Sequence, residues 1–425
     1  MILRAILSLL AAVTLAAPSI AAQPVDPDER GDGWDHLKEP RESRFPFPAA
    51  PDPRKVRGKP YEAPPVTSLN ADLLETVAES DAYQWTGVAV ADDGRVFVCF
   101  PRWFGKYNIA VQVIHPDGSR KPYPSVDWQV TRPDDDRAER FVCVQSVYVD
   151  DKNRLWVLDA GAPEFGSIVR PGGAKLVGFD LDTDEHLATI LFDRQTLPDG
   201  SYLNDIRVDT EREIAFITES SIGAILTVDL LNETVRRSIV RHPSIGEQHE
   251  FVPVIDGRPL LQAHNAKPVA IKSDGIALSP DRQTLYYQAL SSTFLYTASA
   301  DTVGRRDSTP AERVASIGPA IPAPATDGML MTPDGRLLFT ALEHNAIIAR
   351  TPEGEYKALV RDERLAWPDS MALSNDGHVY VTTSQIHRGH PFALPGEFPR
   401  GPYRLFRFDL AQALERAQPV SIRPE

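Results

Sequence analysis

The chain has 425 residues, a formal net charge of −14 and two cysteines. Its basic residues form no cluster, which excludes nucleic acid as the expected partner, because phosphate binding needs grouped Lys and Arg side chains. Two cysteines are too few for a structural zinc site of their own, but they suffice for one disulfide in an oxidising compartment.

The N-terminus has the pattern of a secretory signal peptide. Arg4 precedes an apolar run over residues 5–17, and the small residues Ala21 and Ala22 follow. The run is shorter than the roughly 20 apolar residues that a membrane-spanning helix needs, and no later segment approaches that length. We therefore expect residues 1–22 to be removed and the mature protein to be secreted or periplasmic, without a membrane span.

Residues 23–66 are rich in proline and charge and show little apolar periodicity. Such a segment does not bury enough apolar surface to fold by itself, so we expect an extended arm followed by one domain over residues 67–425. The first candidate strand lies near residues 73–78. Either it completes the sheet of the last repeat and closes the domain, or residues 404–408 pair without it beside a C-terminal helix.

A pattern then recurs six times: a polar residue opens an apolar run, an acidic turn follows, and a second apolar run returns. In the copy at residues 273–287, Asp274 opens the first run and Asp281 lies in the turn. Repeats of this length, with β-branched and aromatic runs, are typical of propeller blades. We predict an all-β fold, a six-bladed β-propeller with four-stranded antiparallel blades around a central channel. The six opening residues are Thr86, Gln145, Asn204, Asp274, Asp327 and Asp369.

The acidic residues of the repeat fall into two classes. Asp281 and its counterparts occupy turns, where Asp tolerates the required backbone angles and bonds to nearby main-chain groups. The opening residues serve no turn. Because the first strand of a propeller blade lines the channel, we expect them to form a ring at one end of the axis, which is the candidate site.

Three carboxylates in a narrow channel repel each other, so either a cation neutralises them or at least one holds a proton. Asn204, Asp274, Asp327 and Asp369 offer oxygen ligands, which suit a divalent cofactor ion, Ca²⁺ or Mg²⁺. Alternatively, the carboxyl groups bond to backbone N–H groups and ordered water, or the ring captures a cationic ligand. In an enzyme, Asp327 and Asp274 are the candidate catalytic residues, with the ion polarising a carbonyl or activating water.

The ends of the second strands are expected to wall a pocket above the ring for a small-molecule ligand. An indole there would cover an aromatic or amine ligand. The candidate ligand-binding residues are Thr86, Gln145, Arg102, Trp103, Asp159 and Glu219, and Gln288, Glu343 and Gln385 occupy equivalent positions.

The two cysteines are expected at one face of adjacent blades. Cys99 lies near the end of the second strand of blade one, and Cys143 just before the first strand of blade two. A disulfide between Cys99 and Cys143 is therefore feasible.

Several segments resemble the Yellow and major royal jelly protein family. They are residues 96–103, residues 122–124 with Trp128, residues 146–161 and residues 284–293. The resemblance extends from about residue 73 to residue 408 and implies a secreted six-bladed propeller. Insect members include pigment-pathway enzymes acting on dopachrome, amine-binding proteins and nutritional proteins, so membership fixes no activity. The alanine-rich leader is more typical of a bacterial member.

A more distant likeness is to gluconolactonase-type propellers, which hold a divalent metal in the channel. It implies that Asn204 stands at a substrate-side Asn, Asp274 at a metal-binding Asn, and Asp327 or Asp369 at a metal-binding Asp. Thr86 stands where that pattern has a Glu, and this departure weakens the lactonase interpretation.

Three hypotheses about function follow: a metal-assisted lactonase or isomerase, a non-catalytic protein that binds an amine-type ligand, and a protein-interaction scaffold. The acidic ring favours the first two, and no particular protein partner is predicted.

Overall fold

The computed structural model describes residues 66–81, 83–103, 109–129, 137–163, 167–393 and 401–422. The predicted signal peptide and all but the last residue of the predicted arm lie outside them. No helix among these residues is long and apolar enough to cross a membrane.

Antiparallel sheets form the blades. Each takes its strands in chain order from the channel outward, except that the outermost strand of blade six is the first strand of the chain. The strand β1 (Glu75–Ser80) comes first in the chain. Blade one contains β2 (Val88–Val90), β3 (Val96–Cys99), β4 (Val111–Ile114) and β5 (Arg120–Pro122). Blade two contains β6 (Val144–Val149), β7 (Arg154–Asp159), β8 (Lys175–Asp180) and β9 (His186–Leu191). Blade three contains β10 (Leu203–Asp209), β11 (Ile214–Glu219), β12 (Ala224–Asp229) and β13 (Thr234–Val240).

A long connection, residues 241–272, separates blades three and four and is called the strap below. It carries a small hairpin of β14 (Val254–Ile255) and β15 (Arg258–Pro259). Blade four contains β16 (Ser273–Leu278), β17 (Thr284–Ala289), β18 (Phe294–Ser299) and β19 (Ile321–Pro322). Blade five contains β20 (Thr326–Met331), β21 (Leu337–Ala341), β22 (Ala346–Arg350) and β23 (Tyr356–Arg361). Blade six contains β24 (Pro368–Leu373), β25 (His378–Thr383) and β26 (Tyr403–Asp409), with β1 as its outermost strand. The strand β27 (Gln418–Pro419) adds a fifth strand to blade five.

The helices are short and lie between or after strands. They are α1 (Val126–Gln129), α2 (Ala300–Gly304), α3 (Pro310–Ala315) and α4 (Leu410–Glu415). Single 3₁₀ turns span Ala71–Leu73, Arg137–Glu139, Pro243–Ile245, Leu342–His344 and Ile386–Arg388.

The first strands of the blades contact each other in a closed cycle, β2, β6, β10, β16, β20, β24 and again β2. The predicted six-bladed propeller is therefore confirmed, with the two-residue strand β27 as a small departure from four strands per blade.

The turns between first and second strands take the predicted chemistry. Gly94, Gly335 and Gly377 have φ angles of 82°, 82° and 87°, the left-handed conformation that glycine adopts without strain. In blade four the turn carboxylate of Asp281 accepts the Gln283 amide at 3.1 Å, so this aspartate serves its own turn.

The hydrophobic core is divided among the seams between successive blades. Ile206 and Leu226 of blade three pack with Leu158 of blade two, and equivalent clusters occupy the other seams. Because the strands at these seams are buried on both faces, they read as continuous apolar runs, as β3 does. Each blade is therefore stabilised by both of its neighbours.

The ring of blades is closed by the first strand of the chain. β1 pairs antiparallel with β26, from Glu75 opposite Arg407 to Ser80 opposite Tyr403. The residues near 404–408 thus pair with the early strand, and the edge of blade six is covered.

Deleting residues 1–80 removes β1 and leaves β26 as an open edge. We expect this variant to aggregate or to unfold more than about 5 °C below the intact protein, because it also loses apolar packing at the last seam. Deleting only residues 1–65 keeps every described residue and is the control. Gel filtration and thermal unfolding compare the two, and equal melting temperatures and monomer yields would contradict the closing role of β1.

Candidate functional site

The ring residues lie where the first strands change register. In blade three, Leu203 pairs with Glu219 and Ile206 with Ile217, so two residues of the first strand, Asn204 among them, oppose one. Comparable register shifts occur at the ring positions of blades two, four, five and six. A β-bulge of this kind bends the strand and redirects a side chain, which places the polar residues at the mouth of the channel.

Hydroxyl groups of the second strands support these bulges. Thr340 accepts the amide of Gly328 at 2.9 Å in blade five. Thr218 accepts the amide of Asp205 at 3.0 Å and donates to the carbonyl of Asp274 in the next blade at 2.7 Å. One hydroxyl therefore fixes a bulge and ties it to the neighbouring ring residue.

Two glycines allow the ring backbones to approach closely. A Cβ atom on Gly275 would lie 2.7 Å from the carbonyl oxygen of Asp327, and one on Gly328 would lie 2.3 Å from that of Asp369. No larger residue fits there without moving the next blade. The Asp-Gly pairs that open these two repeats are the sequence signal for this packing.

The polar side chains of the ring form one hydrogen-bonded series. Tyr202 donates its hydroxyl to Gln145 Oε1 at 3.0 Å, and Gln145 Nε2 donates to Asn204 Oδ1 at 3.1 Å. Asn204 Nδ2 donates to Asp274 Oδ1 at 2.5 Å. The Asp274 carboxyl lies within hydrogen-bonding reach of that of Asp327. The amides thus lead from a buried tyrosine to a pair of carboxyl groups in contact.

The hydrogen-bonded series of the ring continues to Trp367, but one carboxyl oxygen of Asp369 is not part of it. Trp367 Nε1 donates to Asp327 Oδ2 at 2.6 Å. Asp369 has the hydroxyl groups of Ser370 and Ser384 beside it, yet among the described residues its buried Oδ2 has no hydrogen-bond partner.

Burial raises the pKa values of Asp274, Asp327 and Asp369 well above their usual range. The neighbouring carboxyl group adds to the effect: Asp274 raises the pKa of Asp327, and Asp327 raises that of Asp369. The ring residues from Gln145 to Asp369 are only 3–8% exposed, so water does little to offset this. Charging all three carboxyl groups together is therefore unfavourable in this ring.

A second charged layer lies in the channel and was not predicted. Arg207 donates to the Asp205 carboxylate at 3.0 Å and also to the carbonyl of Met329, two blades away. Its guanidinium lies 5.3 Å from the centre of the Tyr148 ring. The arginine therefore spans the channel. The sequence signal for this contact was an arginine within the otherwise apolar first strand of blade three.

Two of the predicted wall residues do not contact the ring carboxyl groups directly but neighbour residues that bond to the ring. Trp103 is half-buried and donates from Nε1 to the hydroxyl of Tyr202 at 2.7 Å, which connects it to Gln145. Arg102 is also half-buried and lies near Cys143. Thr86 donates its hydroxyl to the backbone carbonyl of Gln145 at 2.7 Å, so it links two blades.

The predicted wall residues Asp159 and Glu219 are fully buried and hold backbone. Asp159 pairs with the buried Lys175 at 2.8 Å. It also accepts the amides of Val142, Cys143 and Gly161. Glu219 accepts the amides of Tyr202, Ser221, Ile222 and Gly223. Both carboxylates order the loops at the ring end of the channel.

The three equivalent residues in later blades also form hydrogen bonds to loop residues. Gln288 donates to the carbonyls of Ser292 and Pro324, Glu343 accepts the amide of Val254, and Gln385 accepts Arg388. Their shared place in the repeat reflects loop support.

The predicted disulfide is not formed, because Cys99 and Cys143 are both buried free thiols. The sulfur of Cys99 takes the place that the threonine hydroxyl has in blade three: it accepts the Gly87 amide at 3.2 Å and donates to the Gln145 carbonyl at 3.2 Å. The sulfur of Cys143 instead faces the hydroxyl of Tyr202 at 3.8 Å. Each sulfur is thus directed to a polar partner of its own.

The side chains of the ring are already engaged with each other, which bears on the predicted Ca²⁺ or Mg²⁺ site. Within the described ranges, no group of three or more His, Cys, Asp or Glu side chains has an arrangement that could hold a metal ion. The Asn204 oxygen already accepts from Gln145, and Asp327 is bonded to Trp367. An ion would fit the ring only after these hydrogen bonds are broken.

Comparison with known proteins gives relatives of low identity. A family model described as major royal jelly protein matches residues 142–390. Protein yellow of Drosophila melanogaster is 26% identical over 316 residues, 69% of this chain and 57% of that protein. Major royal jelly protein 5 of Apis mellifera is 25% identical over 227 residues, 51% of this chain and 34% of that protein. The chain spans about half the length of the curated relatives it matches.

Among solved structures, a calcium-binding protein, regucalcin, from Agrobacterium tumefaciens has a TM-score of 0.48 at 13% identity. The match covers 81% of this chain and 94% of that one. A gluconolactonase from Xanthomonas campestris has a TM-score of 0.46 at 12% identity, covering 82% of this chain and 94% of that one. Neither likeness bears on chemistry.

Alkylation in denaturant without reductant should modify both cysteines, because neither is in a disulfide. In the native protein we expect no reaction, since burial raises the pKa of each thiol to about 12. Intact mass spectrometry counts the adducts, and Cys99→Ser should show one. A denatured, unreduced protein without adducts would mean that the bridge exists.

Asp369→Asn should stabilise the protein at neutral pH. The pKa of Asp369 is raised in the folded state, so its contribution to stability is fully present below the unfolded value of about 3.9 and is lost as the pH rises toward the folded value. With a chelator present, we expect the variant to melt a few degrees above wild type at pH 7.5 and close to it at pH 4.

The control for this prediction is Asp281→Asn. Local hydrogen bonds lower the pKa of Asp281, so this variant should gain nothing as the pH rises. Differential scanning fluorimetry across pH compares the three proteins. An Asp369→Asn advantage that is independent of pH would contradict the charge argument.

Proposed function

The chain belongs to the major royal jelly protein family, and from this premise we propose that it binds a small carbonyl compound at the ring and moves a proton on it with Asp274 and Asp327. The observation that supports this is the contact between two buried carboxyl groups. Two such groups share a proton rather than both ionising, so one serves as acid and the other as base.

The surrounding donors assign the two roles. Asp274 accepts from the Asn204 amide and from Asp327, which favours the charged form of Asp274. Asp327 accepts the Trp367 indole N–H at Oδ2, which leaves Oδ1 as the oxygen that can hold a proton. On this basis we assign Asp274 as the base and Asp327 as the acid.

Two reaction classes fit this pair. In a tautomerisation, Asp274 removes the proton from the carbon next to the carbonyl while Asp327 gives its proton to the carbonyl oxygen, so the pair ends with its proton on Asp274. In lactone hydrolysis, Asp274 takes a proton from the attacking water, and Asp327 protonates the ring oxygen as its bond to the acyl carbon breaks. Both steps leave the proton count of the pair unchanged.

The neighbouring side chains suit a small ligand. Gln145 and Asn204 carry amide groups at the same level as the carboxyl pair, and Trp103 reaches the ring through Tyr202. Asn204 and Asp327 keep the greatest exposure of the ring, 8% each, so a ligand would enter beside them. These polar groups would orient the carbonyl compound, while the half-buried indole of Trp103 would cover it.

A divalent ion is a separate part of the proposal. Oxygen-only donors and the unpartnered Oδ2 of Asp369 support it. When bound, Ca²⁺ or Mg²⁺ would polarise a carbonyl oxygen. Because the ring must first lose protons, ion binding should strengthen with rising pH, and metal analysis with calcium titrations at two pH values tests this. We also propose that the protein is exported, on the composition of residues 1–22.

The test is a turnover assay on lactones, followed by acid release, and on tautomerising carbonyl compounds, followed by absorbance. Asp274→Asn and Asp327→Asn should each lower turnover by about 100-fold or more, the scale of lost general acid–base catalysis. Asp281→Asn is the matched control, since it makes the same change in a turn of the same repeat, and should keep wild-type activity.

Equal turnover in Asp327→Asn and wild type would refute the proposed pair. Ligands that raise the melting temperature without being consumed would favour the non-catalytic binding protein. Which substrate class is consumed distinguishes hydrolysis from tautomerisation.

A further inference from the structure

Trp367 lies beside the carboxyl pair in a conformation that its residue type rarely adopts. Its φ angle is 55°, in the left-handed region, and its side chain is fully buried. A bulky residue seldom occurs there, and residues held in such conformations cluster at functional sites. The surrounding structure must therefore hold this residue in place.

The indole makes one directed polar contact, from Nε1 to Asp327 Oδ2 at 2.6 Å. Because indole nitrogen only donates, the bond has one direction and requires no choice of tautomer or rotor. It occupies Oδ2 of Asp327 and leaves Oδ1 as the second oxygen of that carboxyl group. Asp369 shows the contrast, since its Oδ2 is buried without such a donor in the described part of the chain.

The other face of the indole is held by the loop after β25. The His387 ring stacks on it with centroids 5.8 Å apart and planes 9° apart, and Phe392 packs beside it. His387 Nε2 lies 2.7 Å from Asp256 Oδ2, on the strap, and Arg388 donates to the same oxygen at 2.6 Å. A continuous set of contacts therefore runs from the strap to a ring carboxyl.

We propose that Trp367 is the positioning residue of Asp327, and that Asp256 of the strap keeps the indole in place through His387. The inference rests on the proposed function, in which Asp327 is the acid. Its physical content is that the indole N–H fixes the orientation of the carboxyl group, so the proton-bearing oxygen faces Asp274 and the ligand.

The first test is Trp367→Phe, which keeps an aromatic ring for stacking and removes the donor. The matched control is Trp85→Phe. Trp85 is also fully buried, precedes the ring residue Thr86, and within the described residues its Nε1 has no hydrogen-bond partner. We expect Trp367→Phe to lower kcat by about 10-fold to 100-fold with little change in KM, and Trp85→Phe to alter neither.

The second test needs no activity. In protein labelled with ¹⁵N-tryptophan, the Trp367 indole signal is identified by its loss in Trp367→Phe. We expect this proton to resonate downfield, and to shift upfield and exchange faster with solvent in Asp327→Ala. Asp281→Ala should leave it unchanged. Asp256→Asn should shift or broaden it, because the strap no longer holds His387 as firmly.

The outcomes separate the two claims. An indole signal that is unaffected by Asp327→Ala would overturn the contact, and one unaffected by Asp256→Asn would overturn the role of the strap. Turnover that falls equally in Trp367→Phe and Trp85→Phe would overturn the positioning role while leaving the proposed function intact. If wild type converts no substrate, the proposed function fails, and the indole signal alone decides whether Trp367 holds Asp327.

Discussion

The β-bulge at the start of the first strands is the constraint on which the site depends. Two residues of one strand oppose one of the next, so a polar side chain turns toward the axis instead of entering a seam between blades. A threonine hydroxyl, or the sulfur of Cys99 in blade one, then joins that bulge to the following blade. The geometry of the fold and of the ring is thus set by the same few hydrogen bonds.

The ring is asymmetric, because its acidic residues all lie on one side. Along the circle, threonine and amides give way to three carboxyl groups, and the amides donate toward the carboxyl end. Hydrogen bonds from amide, hydroxyl and indole groups offset part of the electrostatic cost of burying these acids.

The repeat pattern was enough to predict the propeller and the residues that meet at its axis, because blade spacing and strand order are recorded in apolar periodicity. It was not enough for contacts made between distant segments. Trp367 is separated from Asp327 by 40 positions in the chain, and Arg207 from Met329 by 122. The predicted disulfide failed for the same reason: face and blade were inferred correctly, but the partner of each sulfur depends on atoms of the neighbouring blade. Asp159 and Glu219 occupy equivalent places in the repeat, yet only burial reveals that they order backbone.

Arg207 limits the routes by which a small molecule could pass along the central channel. Its side chain joins Asp205 of blade three to a carbonyl of blade five, so it obstructs the axis at that level. A molecule bound at the ring, as proposed above, would therefore leave by the opening through which it entered. Product and incoming substrate would therefore compete for one exit, and the loops around that opening would set how long either of them stays.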